Sequence, residues 1–165
     1  MASKEIILQL RDALRLANCA DMPDKLAGIN RLAVIVSQQD KKFVELGYDQ
    51  VLLKELMKFI KFEHGDFLRK TMDILANHYL ETRKYQDEIM GVLLYRYGLS
   101  TDIETSVMCL DKISELMDHM GDDIAKHSKQ LLQLADISCP TSVSERVETI
   151  MLKAKSSVPR RRNFN

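Results

Sequence analysis

The histidines and the acidic residues near them are the first candidates for binding a metal ion or transferring protons. The chain has four histidines, at His64, His78, His119 and His127. None lies in an HExxH motif, and no CxxC pair accompanies them, so both common zinc-binding patterns are missing. His119, Asp123 and His127 have the four-residue spacing of ligands on one helical face, but Gly121 interrupts the predicted helix between them. The sequence therefore predicts no metal site and no cofactor.

Cysteine and the common catalytic motifs give no indication of an enzyme either. The cysteines are Cys19, Cys109 and Cys139, an odd number that cannot close a complete disulfide framework. The chain contains no GxxxxGKS or GxxxxGKT loop, no GxGxxG loop and no GxSxG elbow, so phosphate-cradling loops and activated serines have no support. We predict a protein without catalytic activity in a reducing compartment.

The composition is that of one soluble helical domain. Of 165 residues, 45% are hydrophobic and 29% are charged, and only 6 glycines and 3 prolines supply turns, too few for a set of β-hairpins. Basic and acidic residues number 24 each, so the whole chain has no charge excess that would favour nucleic acid or an anionic membrane. No apolar stretch approaches the roughly 20 residues that span a bilayer. We expect an all-α protein in the cytoplasm or nucleus, with no membrane contact and with nucleic-acid binding disfavoured.

Apolar residues recur at three- and four-residue spacing along most of the chain, which predicts a succession of helices. Asp21 and Pro23 mark the start of one helix, His64 and Gly65 separate two others, and Gly91 is expected to end a short one. The predicted helices cover residues 3–19, 21–38, 40–46, 49–63, 67–81, 85–90, 92–97, 102–120 and 122–135, and a last one begins at 142.

The last predicted helix carries an apolar stripe that something must cover. The stripe consists of Val143, Val147, Ile150, Met151 and Ala154. Because only a short connection precedes this helix, we expect it to pack back on residues 124–135 as a C-terminal capping helix. Such a cap favours a monomer, and the alternative is a homodimer that buries the stripe between two copies.

The chain beyond the last helix has no apolar period. It contains the basic cluster of Arg160, Arg161 and Arg162. We therefore place a helical repeat domain at 1–156 and a flexible basic tail, or the start of a linker, at 157–165.

Two successive segments repeat one order of elements, namely a short helix, a glycine, a second helix, a polar break and a long helix. They cover residues 40–81 and 85–120, and both contain VLL after the glycine. A repeat of about 40 residues is typical of helical solenoids. We expect Leu75 and Leu110, on the two long helices, to occupy equivalent buried layers.

The segment FVELGYDQVLLKELMKFI resembles the junction between the first and second helices of the armadillo-repeat family, and ILANHYLE resembles that family's third helix. The resemblance covers roughly residues 4–136 and implies a short right-handed α-solenoid of about three degenerate repeats. It places Asn77 at the asparagine that hydrogen-bonds the backbone of a bound peptide in family members. Arg31 in GINRLAV and Lys112 in LDKISEL stand at that position in the other units. This departure favours contact with an acidic or partner-specific surface over the family's mode of peptide binding.

Tyrosine provides a further candidate contact. Tyr95 and Tyr97 in LLYRYG alternate instead of following a helical stripe, so at least one of them should reach the surface. An exposed tyrosine beside Arg96 suits a binding hot spot.

These observations predict a non-catalytic scaffold or adaptor that binds a peptide or helical segment of another protein. The predicted partner-binding residues are Arg31, Asn77, Lys112, Tyr95 and Tyr97. The alternative is an oligomerisation or regulatory helical module that contacts nucleic acid through the arginines of its basic tail.

Overall fold

The computed structural model of the chain describes residues 2–38, 47–132 and 141–157. These residues form helices and the turns between them, with no β-strand among them, which confirms the prediction of an all-α protein. The helix predicted over 40–46 and the basic tail lie outside the described residues. The chain divides into two compact units, Met1–Val92 and Leu93–Asn165. The predicted boundary at residues 156 and 157 stays a prediction.

The described residues form eight α-helices and one 3-10 helix. In the first unit they are α1 (Ala2–Ala17), α2 (Met22–Gln38), α3 (Tyr48–Phe62) and α4 (Gly65–Thr82). The boundary between the units lies within α5 (Gln86–Leu99). The second unit continues with α6 (Ile103–Met117), a 3-10 helix (Gly121–His127), α7 (Ser128–Leu132) and α8 (Thr141–Ser157).

Residues with capping chemistry lie where two of the helices begin. The carbonyl oxygen of Asp21 accepts a 3.0 Å hydrogen bond from the Lys25 backbone N–H, and Pro23 follows in the first turn of α2, where a missing N–H costs no helical hydrogen bond. The side chain of Asp102 accepts the Thr105 backbone N–H at 2.9 Å and so caps α6. The predicted starts of these two helices are therefore confirmed.

In the first unit, α2 packs against both α1 and α4, and α4 packs against α3. Residues 18–21 join α1 to α2 as a helical hairpin. The rings of Phe59 and Phe67 meet edge to face with centroids 5.1 Å apart. The core contains Leu10, Ala13, Ala17, Ile29, Leu32, Leu56, Phe59, Ile60, Phe67, Leu68, Met72 and Leu75. Burial of these apolar side chains holds the α1–α2 hairpin to α4.

In the second unit, α8 packs against α6, α7 and the 3-10 helix. Its stripe residues Val143, Val147, Ile150 and Ala154 are buried, and Met151 is half-buried. Packing on residues 124–135 is thus confirmed for the described part of that segment. The contact with α6 was not predicted from the sequence.

The prediction of a helix break at Gly91 is wrong. One helix, α5, runs from Gln86 to Leu99 through Gly91. A glycine inside a helix costs about 1 kcal/mol relative to alanine, which burial of Ile89, Met90 and Leu93 outweighs. The segment 85–120 therefore lacks the division into a short and a second helix that its repeat pattern predicted.

Two smaller predictions also differ from the structure. The helix predicted over 49–63 begins at Tyr48, so that Asp49 lies in its first turn, where it is buried. The helix expected over 122–135 begins as a 3-10 helix, and only Ser128–Leu132 is α-helical within its described part. The Asp49 carboxylate accepts a hydrogen bond from the hydroxyl of Tyr85, which is half-buried.

Candidate functional site

The first unit contains a close contact between the backbones of α1 and α2, at Gly28. A Cβ atom on Gly28 would lie 2.7 Å from the carbonyl oxygen of Ala13 and nearer still to the backbone nitrogen of Ala17. Ala13 and Ala17, four residues apart, place two small side chains on one face of α1. Glycine is therefore needed at position 28, because any side chain would force the two helices apart.

One turn further along α2, the two helices border an open cleft of about 350 Å³. Its lining residues are Gln9 and Asp12 of α1 and Arg31, Val34, Ile35 and Gln38 of α2. The α2 residues recur at three-, four- and seven-residue spacing, which places them along one side of the helix. The cleft therefore contains Arg31, one of the predicted partner-binding residues.

The cleft combines opposite charges with an apolar floor. Asp12 and Arg31 are both exposed, and neither forms an ion pair with any residue that the structure describes. Val34 is 55% exposed, whereas the next residue, Ile35, is buried. Gln9 and Gln38 add side-chain amides, each with two N–H donors and one carbonyl acceptor. The surface can thus hydrogen-bond, pair with charges and cover an apolar group.

Asn77 lies on the exposed side of α4, outside the lining of the cleft. The neighbouring positions His78 and Ala76 are buried. Asn77 is accessible to a partner, as predicted, and its role in binding one stays a prediction.

Lys112 lies on α6 in the second unit, and its ammonium group contacts Glu115 Oε2 at 2.9 Å. Only 15% of the Lys112 side chain is exposed, against 48% for Glu115. The cation is therefore engaged by a carboxylate of its own helix. Its contact with a partner stays a prediction.

The two predicted tyrosines differ in exposure. Tyr95 is 53% exposed and Tyr97 is 6% exposed, so one of the pair reaches the surface, as the alternation in LLYRYG predicts. Tyr97 is buried, which leaves Tyr95 as the residue of the pair that a partner could touch. Leu99, one turn further along α5, is also exposed, as is Ile103 at the start of α6.

A buried polar cluster in the first unit was not predicted from the sequence. The hydroxyl of Tyr85 donates a 2.9 Å hydrogen bond to Asp49 Oδ2, and its ring stacks on His78 with centroids 6.2 Å apart. The Nε2 atom of His78 is buried without a hydrogen-bond partner. Burial lowers the pKa of His78, against the opposing effect of the Asp49 carboxylate. Burial and the same carboxylate raise the pKa of Tyr85.

The turn that carries Tyr85 is strained. Arg83 and Tyr85 have φ angles of 56° and 62°, in the left-handed region that side chains disfavour. Arg83 ends α4 by donating its backbone N–H to the Tyr79 carbonyl at 2.7 Å, an ordinary left-handed cap. The carbonyl oxygen of Tyr85 accepts the Ile89 backbone N–H at 3.0 Å, and its side chain contacts Asp49 and His78.

The described residues offer no arrangement typical of metal binding. Within them, no three histidine, cysteine, aspartate or glutamate side chains lie together as ligands would. Cys109 is fully buried, and burial raises its pKa to about 12, which disfavours the reactive thiolate. Cys139 and Arg160, Arg161 and Arg162 lie outside the described residues, so the nucleic-acid alternative stays a prediction.

Sequence reasoning identified Arg31 but missed the residues that surround it. Ala13, Ala17 and Gly28 are a signal that could have located the cleft, since small residues at four-residue spacing permit close helix packing. Gln9, Asp12 and Gln38 carry no signal of their own, because polar residues on exposed helix positions are ordinary.

Comparison of the chain with protein-family models, with curated proteins and with solved structures finds no match. Among the helices that the structure describes, none combines the length and apolar character needed to cross a membrane.

Proposed function

We propose that this protein is a non-catalytic interaction module that holds a segment of another protein in the cleft between α1 and α2. The observation that carries the proposal is the cleft itself, where Arg31 and Asp12 stand without ionic partners among the described residues beside the exposed Val34. Charged groups at protein interfaces pair with complementary charges of the partner, and Arg31 and Asp12 can form such pairs.

The architecture that we propose for this module is a short right-handed α-solenoid of armadillo-like repeats. Its support is the resemblance of FVELGYDQVLLKELMKFI and ILANHYLE to that family, together with the packing of α3 on α4. A solenoid presents an extended surface of helices to its partners, which suits a scaffold or adaptor. We further propose that the protein acts as a monomer, since the apolar stripe of α8 packs on α6, α7 and the 3-10 helix of the same chain. The location that we propose is the cytoplasm or nucleus, as the odd number of cysteines favours a reducing compartment.

Site-specific photo-crosslinking tests the proposed function. A benzophenone amino acid replaces Val34 in the cleft, and in a matched protein it replaces Val51 on α3, which is 49% exposed and lies outside the cleft. Both proteins are irradiated in cells that express the chain, and crosslinked partners are identified by mass spectrometry. We expect a set of proteins that crosslinks at position 34 and not at position 51.

Arg31→Glu in the Val34 crosslinking protein should remove those crosslinks, whereas Arg11→Glu, an exposed residue outside the cleft, should leave them in place. Equal crosslinking at positions 34 and 51 would show that the cleft is not the binding surface.

A further inference from the structure

The residues that line the α1–α2 cleft indicate which chemical groups its occupant carries. This inference deepens the proposed function and rests on it. Arg31 presents a planar guanidinium whose parallel N–H donors match a carboxylate. Asp12, on the other helix, presents acceptors that match an ammonium or guanidinium. The two groups lie in the same cleft yet form no ion pair with each other. An occupant that carries both charges would satisfy both residues at once.

The openness of the cleft favours a polypeptide over a small molecule. Sites for small ligands enclose most of the ligand surface, whereas five of the six lining residues here are exposed. A polypeptide segment that lies across an open cleft covers the cleft with its own atoms, so the cleft does not need to enclose it. Gln9 and Gln38 can bond to its backbone N–H and C=O groups.

The apolar part of the cleft is too short for a docked helix. A helix in a groove uses apolar anchors over two turns, at spacings such as i, i+3 or i+4, and i+7. Val34 is the exposed apolar residue in the lining, and the next residue, Ile35, is buried. One aliphatic side chain of an extended segment fits this floor.

Nucleic acid suits the cleft less well, since Asp12 would repel a phosphate that approached Arg31. We infer that the α1–α2 cleft binds an extended peptide segment in which an acidic and a basic residue flank one aliphatic residue, with the acid on Arg31 and the base on Asp12. The aliphatic side chain covers Val34, and the glutamine amides bond to the peptide backbone.

Binding of short synthetic peptides to the full chain tests this inference. The probes are N-acetylated and C-amidated pentapeptides with glycine at both ends and Glu-Leu-Lys, Glu-Leu-Glu, Lys-Leu-Lys or Ala-Leu-Ala between them. Each is titrated into isotope-labelled protein, and amide shifts are followed by NMR. We expect Glu-Leu-Lys to bind tightest, to shift residues 8–12 and 31–38, and to exceed Ala-Leu-Ala by about threefold to tenfold in affinity, as two surface charge pairs allow.

Charge reversal should change the preference in a defined direction. Arg31→Glu makes both charged positions acidic, so it should prefer Lys-Leu-Lys. Asp12→Lys makes both basic, so it should prefer Glu-Leu-Glu. Arg11→Glu is the matched control on α1 outside the cleft and should keep the wild-type preference. Because all these positions are exposed, each variant should remain folded, which the dispersion of the same spectra checks.

Several outcomes would overturn the inference, and the first and the last of them leave the proposed function intact. Equal affinity for all four peptides would show that the charges are not used. Peptide-induced shifts confined to residues outside the cleft would place binding elsewhere. Free leucine binding as tightly as Glu-Leu-Lys would identify a small-molecule site, and shifts in the cleft that grow with protein concentration alone would identify a second copy as the occupant. If no peptide binds at millimolar concentration the inference is also wrong, and the crosslinking experiment at Val34 then decides the proposed function by itself.

Discussion

The phenolic hydroxyl of Tyr85 donates a 2.9 Å hydrogen bond to Oδ2 of Asp49, a carboxylate buried in the first turn of α3. The contact ties the strained turn after α4 to a helix 36 residues earlier in the chain. A buried carboxylate needs such a partner, because desolvation without compensation is costly. The bond therefore supports both the conformation of Tyr85 and the burial of Asp49.

Tyr85→Phe should lower the free energy of unfolding by about 1 to 3 kcal/mol, because it leaves the buried Asp49 carboxylate without this donor. Urea denaturation followed by circular dichroism measures the change. Tyr79→Phe removes the hydroxyl that bonds to the half-buried Gln86 at 2.9 Å and should cost less, about 0.5 to 1.5 kcal/mol. A Tyr85→Phe protein as stable as the wild type would refute the role given to this bond.

Stability should fall as the pH is lowered through the range in which the unfolded chain binds a proton at His78. Burial lowers the pKa of His78 in the folded state, Asp49 raises it and Lys84 lowers it further. Since the pKa of His78 in the folded state lies below the ordinary histidine pKa of 6.5, the unfolded state takes up the proton first. The contribution of His78 is complete above pH 6.5 and is lost as the pH falls from there toward the folded pKa.

Thermal unfolding between pH 7.5 and pH 5 checks this expectation. His78→Gln should flatten the dependence of the melting temperature on pH in that range. An unchanged slope in His78→Gln would assign the acid sensitivity to other groups.

Gly28→Ala should destabilise the first unit by about 1 to 3 kcal/mol, because the added methyl group meets the backbone of α1 and cannot be accommodated by a side-chain rotation. Gly91→Ala is the matched control, since a Cβ atom there meets nothing within 4 Å. It should be neutral or stabilising by up to about 1 kcal/mol, as alanine is the better helix former. The midpoints of urea denaturation should therefore move in opposite directions, and a wild-type midpoint in Gly28→Ala would contradict the close helix contact.

Ile150→Asp should strongly destabilise the second unit, because it places a charge in the buried stripe of α8. Leu152→Asp, two residues along the same helix, changes a side chain that is 65% exposed and should alter stability by no more than about 0.5 kcal/mol. Thermal denaturation distinguishes the two variants, and light scattering of the wild type should give the mass of one chain. A dimeric wild type that dissociates in Ile150→Asp without loss of helix content would show that the stripe is an interface between copies.

Much of the helical organisation could be predicted from local patterns in the sequence. The spacing of apolar residues indicates which helix faces are buried, and Leu75 and Leu110 are both buried, as expected from their helices. Asp21 and Asp102 mark helix starts because their capping chemistry acts within one turn of the chain. The break expected at Gly91 failed because the cost of one glycine is small beside the burial of its neighbours, which a local signal does not include.

For the candidate site, the sequence by itself determined that at least one of Tyr95 and Tyr97 reaches the surface, since residues two apart lie on different sides of a helix. Arg31 was predicted as a binding residue from the resemblance of GINRLAV to a repeat unit. Only the tertiary structure decided that Arg31 shares a cleft with Asp12, that Tyr97 enters the core and that Asp49 is joined to Tyr85. Each of these relationships depends on how two helices, or a helix and a turn, meet in space. The meeting of α1 and α2 is set by backbone contact at Gly28, where the relevant property is the absence of a side chain. The way in which α1 and α2 meet cannot be predicted from residue type and spacing along one segment, because it results from the packing of all the apolar faces together.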